Sequence, residues 1–122
     1  MNKLKLLIID DEMEFASTLA ERLELRGMES RAVECAEDAL SLLQNNWIPD
    51  VAILDLKMPG MDGIATLDLI KRQAPTVEVI MLTGHGSTSS GIEGMQRGLF
   101  DYLMKPVDID ELVKKIKDAA GR

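Results

Sequence analysis

The chain has 122 residues, a formal net charge of −7 and 46% hydrophobic residues, which is the size and balance of one folded domain, taken as residues 1–122. The acid excess leaves no basic face to neutralise phosphates, so direct nucleic-acid binding by this domain is not expected. A single cysteine, Cys35, excludes an internal disulfide, and neither a membrane-length apolar run nor a secretory leader is legible, so a cytoplasmic domain without membrane association is expected.

Residues 4–9 form an apolar run that ends in Asp10, Asp11 and Glu12. Ala16, Leu19, Ala20 and Leu23 then recur at helical spacing, and Gly27 reads as the stop just past that helix. Residues 30–33 are a short, weakly apolar strand, placed at a sheet edge. Ala36, Ala39, Leu40 and Leu43 mark a second helix, broken by Asn45, Asn46 and Pro49. Val51, Ala52, Ile53 and Leu54 run straight into Asp55, as a strand buried on both faces would. Asp62 can cap a third helix that carries Ile64, Leu67 and Ile70 inward, and Pro75 closes it. Residues 77–82 give a fourth strand, which ends in Thr83.

The next segment holds five of the nine glycines between Gly84 and Gly98. Ile92, Met95 and Leu99 still predict a helix there, and interior glycines, at ~1 kcal/mol each against alanine, make it the least stable of the set. Residues 99–104 are the fifth strand, ending at Lys105 and Pro106. Asp108 and Glu111 resemble a capping box, followed by a helix with Ile109, Leu112, Val113 and Ile116 inward. Strands and helices alternate five times, which predicts an α/β fold: a doubly wound, five-stranded parallel sheet with five helices.

The polar residues gather at strand ends: Asp10 and Asp11 after the first strand, Asp55 after the third, Thr83 after the fourth and Lys105 after the fifth. In open parallel sheets those ends form the ligand crevice. Three carboxylates converging there repel one another unless a cation sits between them. The absence of His and Cys clusters disfavours zinc, and a hard, oxygen-preferring ion such as Mg²⁺ fits best. A carboxylate, a hard metal, a hydroxyl and a lysine together suit phosphoryl transfer to Asp55, which is ionised at neutral pH and needs no general base.

Four motifs carry a resemblance: Ile9-Asp10-Asp11-Glu12, residues 54–63 around Asp55, Leu82-Thr83-Gly84-His85-Gly86, and Asp101-Tyr102-Leu103-Met104-Lys105-Pro106. Together they resemble the receiver domain of two-component response regulators, and the Thr-Gly-His-Gly turn is most similar to receivers of transcriptional regulators of the NtrC and FixJ kinds. The resemblance implies the flavodoxin-like sheet order 2-1-3-4-5, for which a receiver is a standing example. It implies that Asp55 accepts phosphate from a sensor histidine kinase or phosphotransfer protein. It implies Mg²⁺ held by Asp11, Asp55 and the backbone carbonyl of Lys57, with Asp10 acting mainly through a water. Lys105 is implied to pair with a phosphoryl oxygen, next to a cis peptide before Pro106. Thr83 and Tyr102 are implied to switch the face made by the fourth helix, fifth strand and fifth helix, toward an output domain or partner or a second copy of the chain. Lys57 and His85 occupy the family positions beside the attacking water, so they are expected to tune the lifetime of the phosphoryl group.

Other chemistries are weaker. A haloacid-dehalogenase-type phosphatase also forms an aspartyl phosphate but needs a second Asp two residues on, where this chain has Lys57. A binding-only pseudo-receiver would lack one of the five site residues, and none is missing. A flavin protein would need a hydroxyl-rich phosphate loop after the first strand.

Overall fold

The computed structural model describes residues 3–56, 63–84 and 88–122. Within them the elements alternate as β1 (Lys5–Ile9), α1 (Met13–Glu24), β2 (Glu29–Val33), α2 (Ala36–Gln44), β3 (Val51–Leu54), α3 (Gly63–Gln73), β4 (Glu78–Thr83), α4 (Thr88–Gln96), β5 (Asp101–Met104) and α5 (Ile109–Ala119). Every strand pairing among them is parallel. The sheet order is β2-β1-β3-β4-β5, as anticipated. β2 lies at an edge and is only partly buried, and the polar Glu29, Ser30 and Arg31 suit such a border.

Alternate side chains of each strand enter opposite cores, as the two-residue period of a strand requires. Leu7, Ile9, Ala52, Leu54, Val79 and Met81 pack with α2 and α3 on one side. Leu6, Ile8, Ile53, Ile80 and Leu82 pack with Leu19 and Leu23 of α1 and Leu112 and Ile116 of α5 on the other. With both faces covered, β1, β3 and β4 read as near-continuous apolar runs. Trp47 packs partly buried beside α2, with its Nε1 donating to Glu29 Oε2 at 3.2 Å and Arg31 stacked on its ring. Met28 and Met81 are core filler, whereas Met95 and Met104 are exposed.

Four of the five helix stops follow one rule. Gly27, Asn46, Gly98 and Gly121 all have positive φ. In each case the next residue's N–H reaches back five residues: Met28 to Leu23, Trp47 to Leu42, Leu99 to Gly94 and Arg122 to Lys117. These are left-handed caps that satisfy the last carbonyls of α1, α2, α4 and α5. The same device moves a boundary: Leu99 serves the α4 cap, so β5 starts at Asp101 rather than at residue 99. α5 begins as anticipated, with Asp108 accepting a hydrogen bond from the Glu111 N–H at 3.2 Å. Asp62 lies outside the described residues, so its capping of α3 stays an expectation from sequence.

α4 departs from its periodicity. Ile92 and Met95 are 55% and 50% exposed, while Gly91, Gly94 and, beyond the helix, Leu99 face inward. A Cβ on Gly91 would stand 3.1 Å from Cγ of Tyr102, and one on Gly94 would stand 2.9 Å from Cδ2 of Leu99. The glycines let the helix lie close on its neighbours, and that turns the apolar pair to the outside.

Candidate functional site

Strand register brings the polar ends together. Ile9 pairs with Val33 on one side and Leu54 on the other. One residue on, the N–H of Asp10 donates to Val33 O and that of Asp55 to Ile9 O, both at 3.0 Å. The two aspartates therefore leave β1 and β3 side by side. Thr83 pairs with Met104, and the Lys105 N–H donates to Thr83 O at 3.0 Å. The Lys105–Pro106 peptide is cis, as the family resemblance implied.

Asp10 and Asp55 are each only 2% exposed. Asp11, next to Asp10, is exposed, and one carboxylate oxygen from each of the three lies within 4.8 Å of the others. Asp10 is engaged twice: Oδ1 accepts from the Glu12 N–H at 2.9 Å and Oδ2 from Lys105 Nζ at 2.8 Å. Asp55 Oδ1 is buried and makes no hydrogen bond among the described residues. An unsatisfied buried carboxylate oxygen costs on the order of 1–3 kcal/mol, and a ligand at that point would recover it. Three carboxylates, one of them with an orphaned oxygen, fit a hard divalent cation, with Asp10, Asp11 and Asp55 as candidate holders.

The electrostatics agree with a crowded acidic site. Burial pushes the Asp10 carboxyl above the usual aspartate range, although the hydrogen bond from Lys105 pulls the other way. Burial works against the Lys105 ammonium, but the hydrogen bonds to Asp10 and Glu12 outweigh it, so its pKa rises above the ordinary lysine value. Lys105 is therefore a fixed positive charge at neutral pH.

The sequence-predicted residues divide into three groups. Asp10, Asp11, Asp55 and Lys105 converge, and Thr83 closes β4 beside Lys105, fully buried. Tyr102 lies away from them, partly buried with its ring against Gly91 and its hydroxyl donating to Met104 Sδ at 3.4 Å. Lys57 and His85 lie outside the described residues. Three residues near the site carry no assignment from sequence. Glu12 accepts from Lys105 Nζ at 3.1 Å, and the Phe15 ring lies 4.1 Å beneath that nitrogen. Gly63 donates its N–H to Leu56 O, and a Cβ there would sit 2.7 Å from the backbone oxygen of Asp55. Only the glycines around the Asp55 loop hinted at so close an approach.

A doubly wound parallel sheet with an acidic crevice at its carboxyl ends defines a flavodoxin-like α/β domain. The family model "Response regulator receiver domain" matches residues 6–117, and the chain belongs to that family. It is 40% identical over 119 residues to the DNA-binding transcriptional regulator NtrC of Proteus hauseri, covering 98% of this chain and 25% of the relative. It is 36% identical over 110 residues to the nitrogen assimilation regulatory protein NtrX of Azorhizobium caulinodans, covering 88% of this chain and 24% of the relative. The chain thus spans about a quarter of the length of these curated relatives. Among solved structures, the receiver domain of the Francisella response regulator 1452 aligns with a TM-score of 0.88 at 33% identity over 98% of both chains. A response regulator receiver domain from Clostridium thermocellum aligns at 0.90 and 37%, over 98% of this chain and 95% of that one. No helix of the described residues is long and apolar enough to cross a membrane.

Proposed function

We propose that residues 1–122 form one cytoplasmic phosphoacceptor switch, in which Asp55 takes a phosphoryl group from the phosphohistidine of a sensor histidine kinase or phosphotransfer protein. One observation supports this most: a buried Asp55 oxygen without a hydrogen bond, set among Asp10, Asp11 and the Lys105 ammonium. An Asp55 carboxylate oxygen attacks phosphorus in line while the P–N bond to the donor histidine breaks, leaving an aspartyl phosphate. Asp10, Asp11 and Asp55, with the backbone carbonyl of Lys57, would hold Mg²⁺. When bound, that ion supplies neutralisation of charge on the phosphoryl oxygens. Lys105, beside Asp10, would supply a fixed cation to the phosphoryl oxygens, and the Thr83 hydroxyl would donate to one of them. The domain is self-catalysing in this sense and is not a metabolic enzyme. The rival phosphatase reading still lacks its second Asp, because Lys57 stands at that position.

Thr83 would carry the event outward through β4 to Tyr102. Tyr102 lies on the open hollow of about 510 Å³ that α4 and β5 form with Ile92, Met95 and Asp101. The exposed Ile92, Met95 and Met104 suit this α4–β5–α5 face to an output domain, a partner or a second copy of the chain. Lys57 and His85 would set the dephosphorylation rate by orienting or crowding the attacking water.

The test is incubation with Mg²⁺ and either acetyl phosphate or beryllofluoride, followed by amide chemical shifts and mass. Wild type should gain one phosphoryl mass or show saturable shifts around residues 83–105, and Asp55→Ala should show neither. An unresponsive wild type, or a responsive Asp55→Ala, refutes the reading. Lys57→Ala and His85→Ala should change the dephosphorylation rate; if both leave it unaltered, the lifetime assignment fails.

A further inference from the structure

The cation of the site is held in a particular place. Lys105 Nζ bonds Asp10 Oδ2 at 2.8 Å and Glu12 Oε1 at 3.1 Å, and it lies 4.1 Å from the centroid of the Phe15 ring. Its side chain is 14% exposed. Glu12 and Phe15 both belong to the start of α1, Glu12 as the residue before its first turn. Asp55 Oδ1 is not a hydrogen-bond partner of this ammonium. Three groups from one segment, residues 10–15, thus share a lysine contributed by the far edge strand.

We propose that Glu12 and Phe15 are positioning residues that form a resting berth for Lys105, and that the ammonium gives up contacts in this berth when an anionic group is attached at Asp55. The inference rests on the reading of Asp55 as phosphoacceptor. Two features separate it from simple packing. The Glu12 side chain is 59% exposed, so it fills no core and its contact with Lys105 is an optional ion pair. The contact with Phe15 carries no formal charge, so it can hold the ammonium without acting on a distant anion through the field. The berth keeps the site's cation charged and ordered when Asp55 bears no ligand. It also competes with the phosphoryl oxygens for that cation, and so lowers the affinity of the site for them.

Beryllofluoride titration at fixed, saturating Mg²⁺, read by amide chemical shifts, tests this with three variants. Glu12→Gln should tighten beryllofluoride binding about two- to fivefold, the scale of a partly exposed ion pair. Glu12→Asp keeps the charge but shortens the arm beyond reach of Nζ, and it should tighten binding to a similar degree. Phe15→Leu keeps every charge and should tighten it about twofold or more, the scale of an exposed cation–π contact. In wild type without beryllofluoride, the Lys105 Hε protons should resonate upfield because of the Phe15 ring. That shift should vanish in Phe15→Leu and shrink on loading. If Glu12→Gln tightens binding while Glu12→Asp and Phe15→Leu match wild type, charge alone acts and the berth is refuted. Lys105 Hε shifts that are equal with and without beryllofluoride also refute it. A wild type that ignores beryllofluoride overturns the phosphoacceptor reading instead, while the Hε shift of the unloaded protein still reports whether the berth exists.

Discussion

α5 and α4 flank the same strand, β5, and are held to the sheet in opposite ways. α5 buries Leu112, Ile116 and Ala119, starts on the Asp108 cap and closes at Gly121. α4 presents Gly91 and Gly94 to the protein and Ile92 and Met95 to solvent. Among the described residues its ties include the Leu99 cap and the Arg97 side chain, which bridges Asp68 of α3 at 2.7 Å and Glu93 at 3.2 Å. Large buried side chains fix one helix, while backbone proximity and surface ion pairs fix the other. The energy of apolar burial scales with area removed from water, so α5 should be the better anchored of the two and α4 the easier to displace.

The comparison is sharpest in a pair of truncations. Leu112→Ala should lower unfolding free energy by about 2–5 kcal/mol, because the side chain is fully buried and leaves a cavity. Ile92→Ala should change it by no more than ~0.5 kcal/mol. Urea denaturation measures both, and equal costs would erase the distinction. Hydrogen exchange asks the same question without mutation: amides of residues 91–97 should exchange faster than those of residues 112–118. Equal protection would mean that α4 is no looser than α5.

Smaller effects refine the picture of α4. Gly91→Ala gains up to ~1 kcal/mol of helix propensity but presses a methyl onto Tyr102, so its net stability change should stay below that figure. The Tyr102 ring resonances should move, and unmoved resonances would show that the close approach is not real. Arg97→Ala should cost less than ~1 kcal/mol, as expected for exposed ion pairs, and should speed exchange selectively in α4.

The smallest effect concerns pH. Burial alone would raise the Asp101 carboxyl, but hydrogen bonds from Lys115 and the Tyr102 N–H hold it below the usual aspartate range. An acid with a depressed folded-state pKa binds protons more readily unfolded, so it stabilises above its ordinary pKa. That stability is lost as pH falls through the lowered value. Asp101→Asn should therefore lower the neutral plateau of a urea-midpoint profile slightly and flatten part of its acid limb below about pH 4, the ordinary aspartate value, so that variant and wild type converge in acid.

Much of this protein lies open in the order of its residues. Apolar runs that stop at Asp10, Asp55, Thr83 and Lys105 locate strand ends, and the alternation with helical periods dictates a parallel sheet, because parallel strands need crossovers. Helix stops at Gly27 and Asn46 and the start at Asp108 are also local, since they depend on one backbone conformation or one side-chain cap. Three matters were settled only in three dimensions. The inward turn of Gly91 and Gly94 depends on the bulk of Tyr102 and Leu99 from β5 and the turn before it. The contacts of Lys105 with Glu12 and Phe15 join residues some ninety positions apart. The closeness of Gly63 to the Asp55 carbonyl depends on where α3 begins against β3. Periodicity reports which residues share a face. It carries no information about how near the opposing face comes, and that distance decides whether glycine or leucine belongs inside.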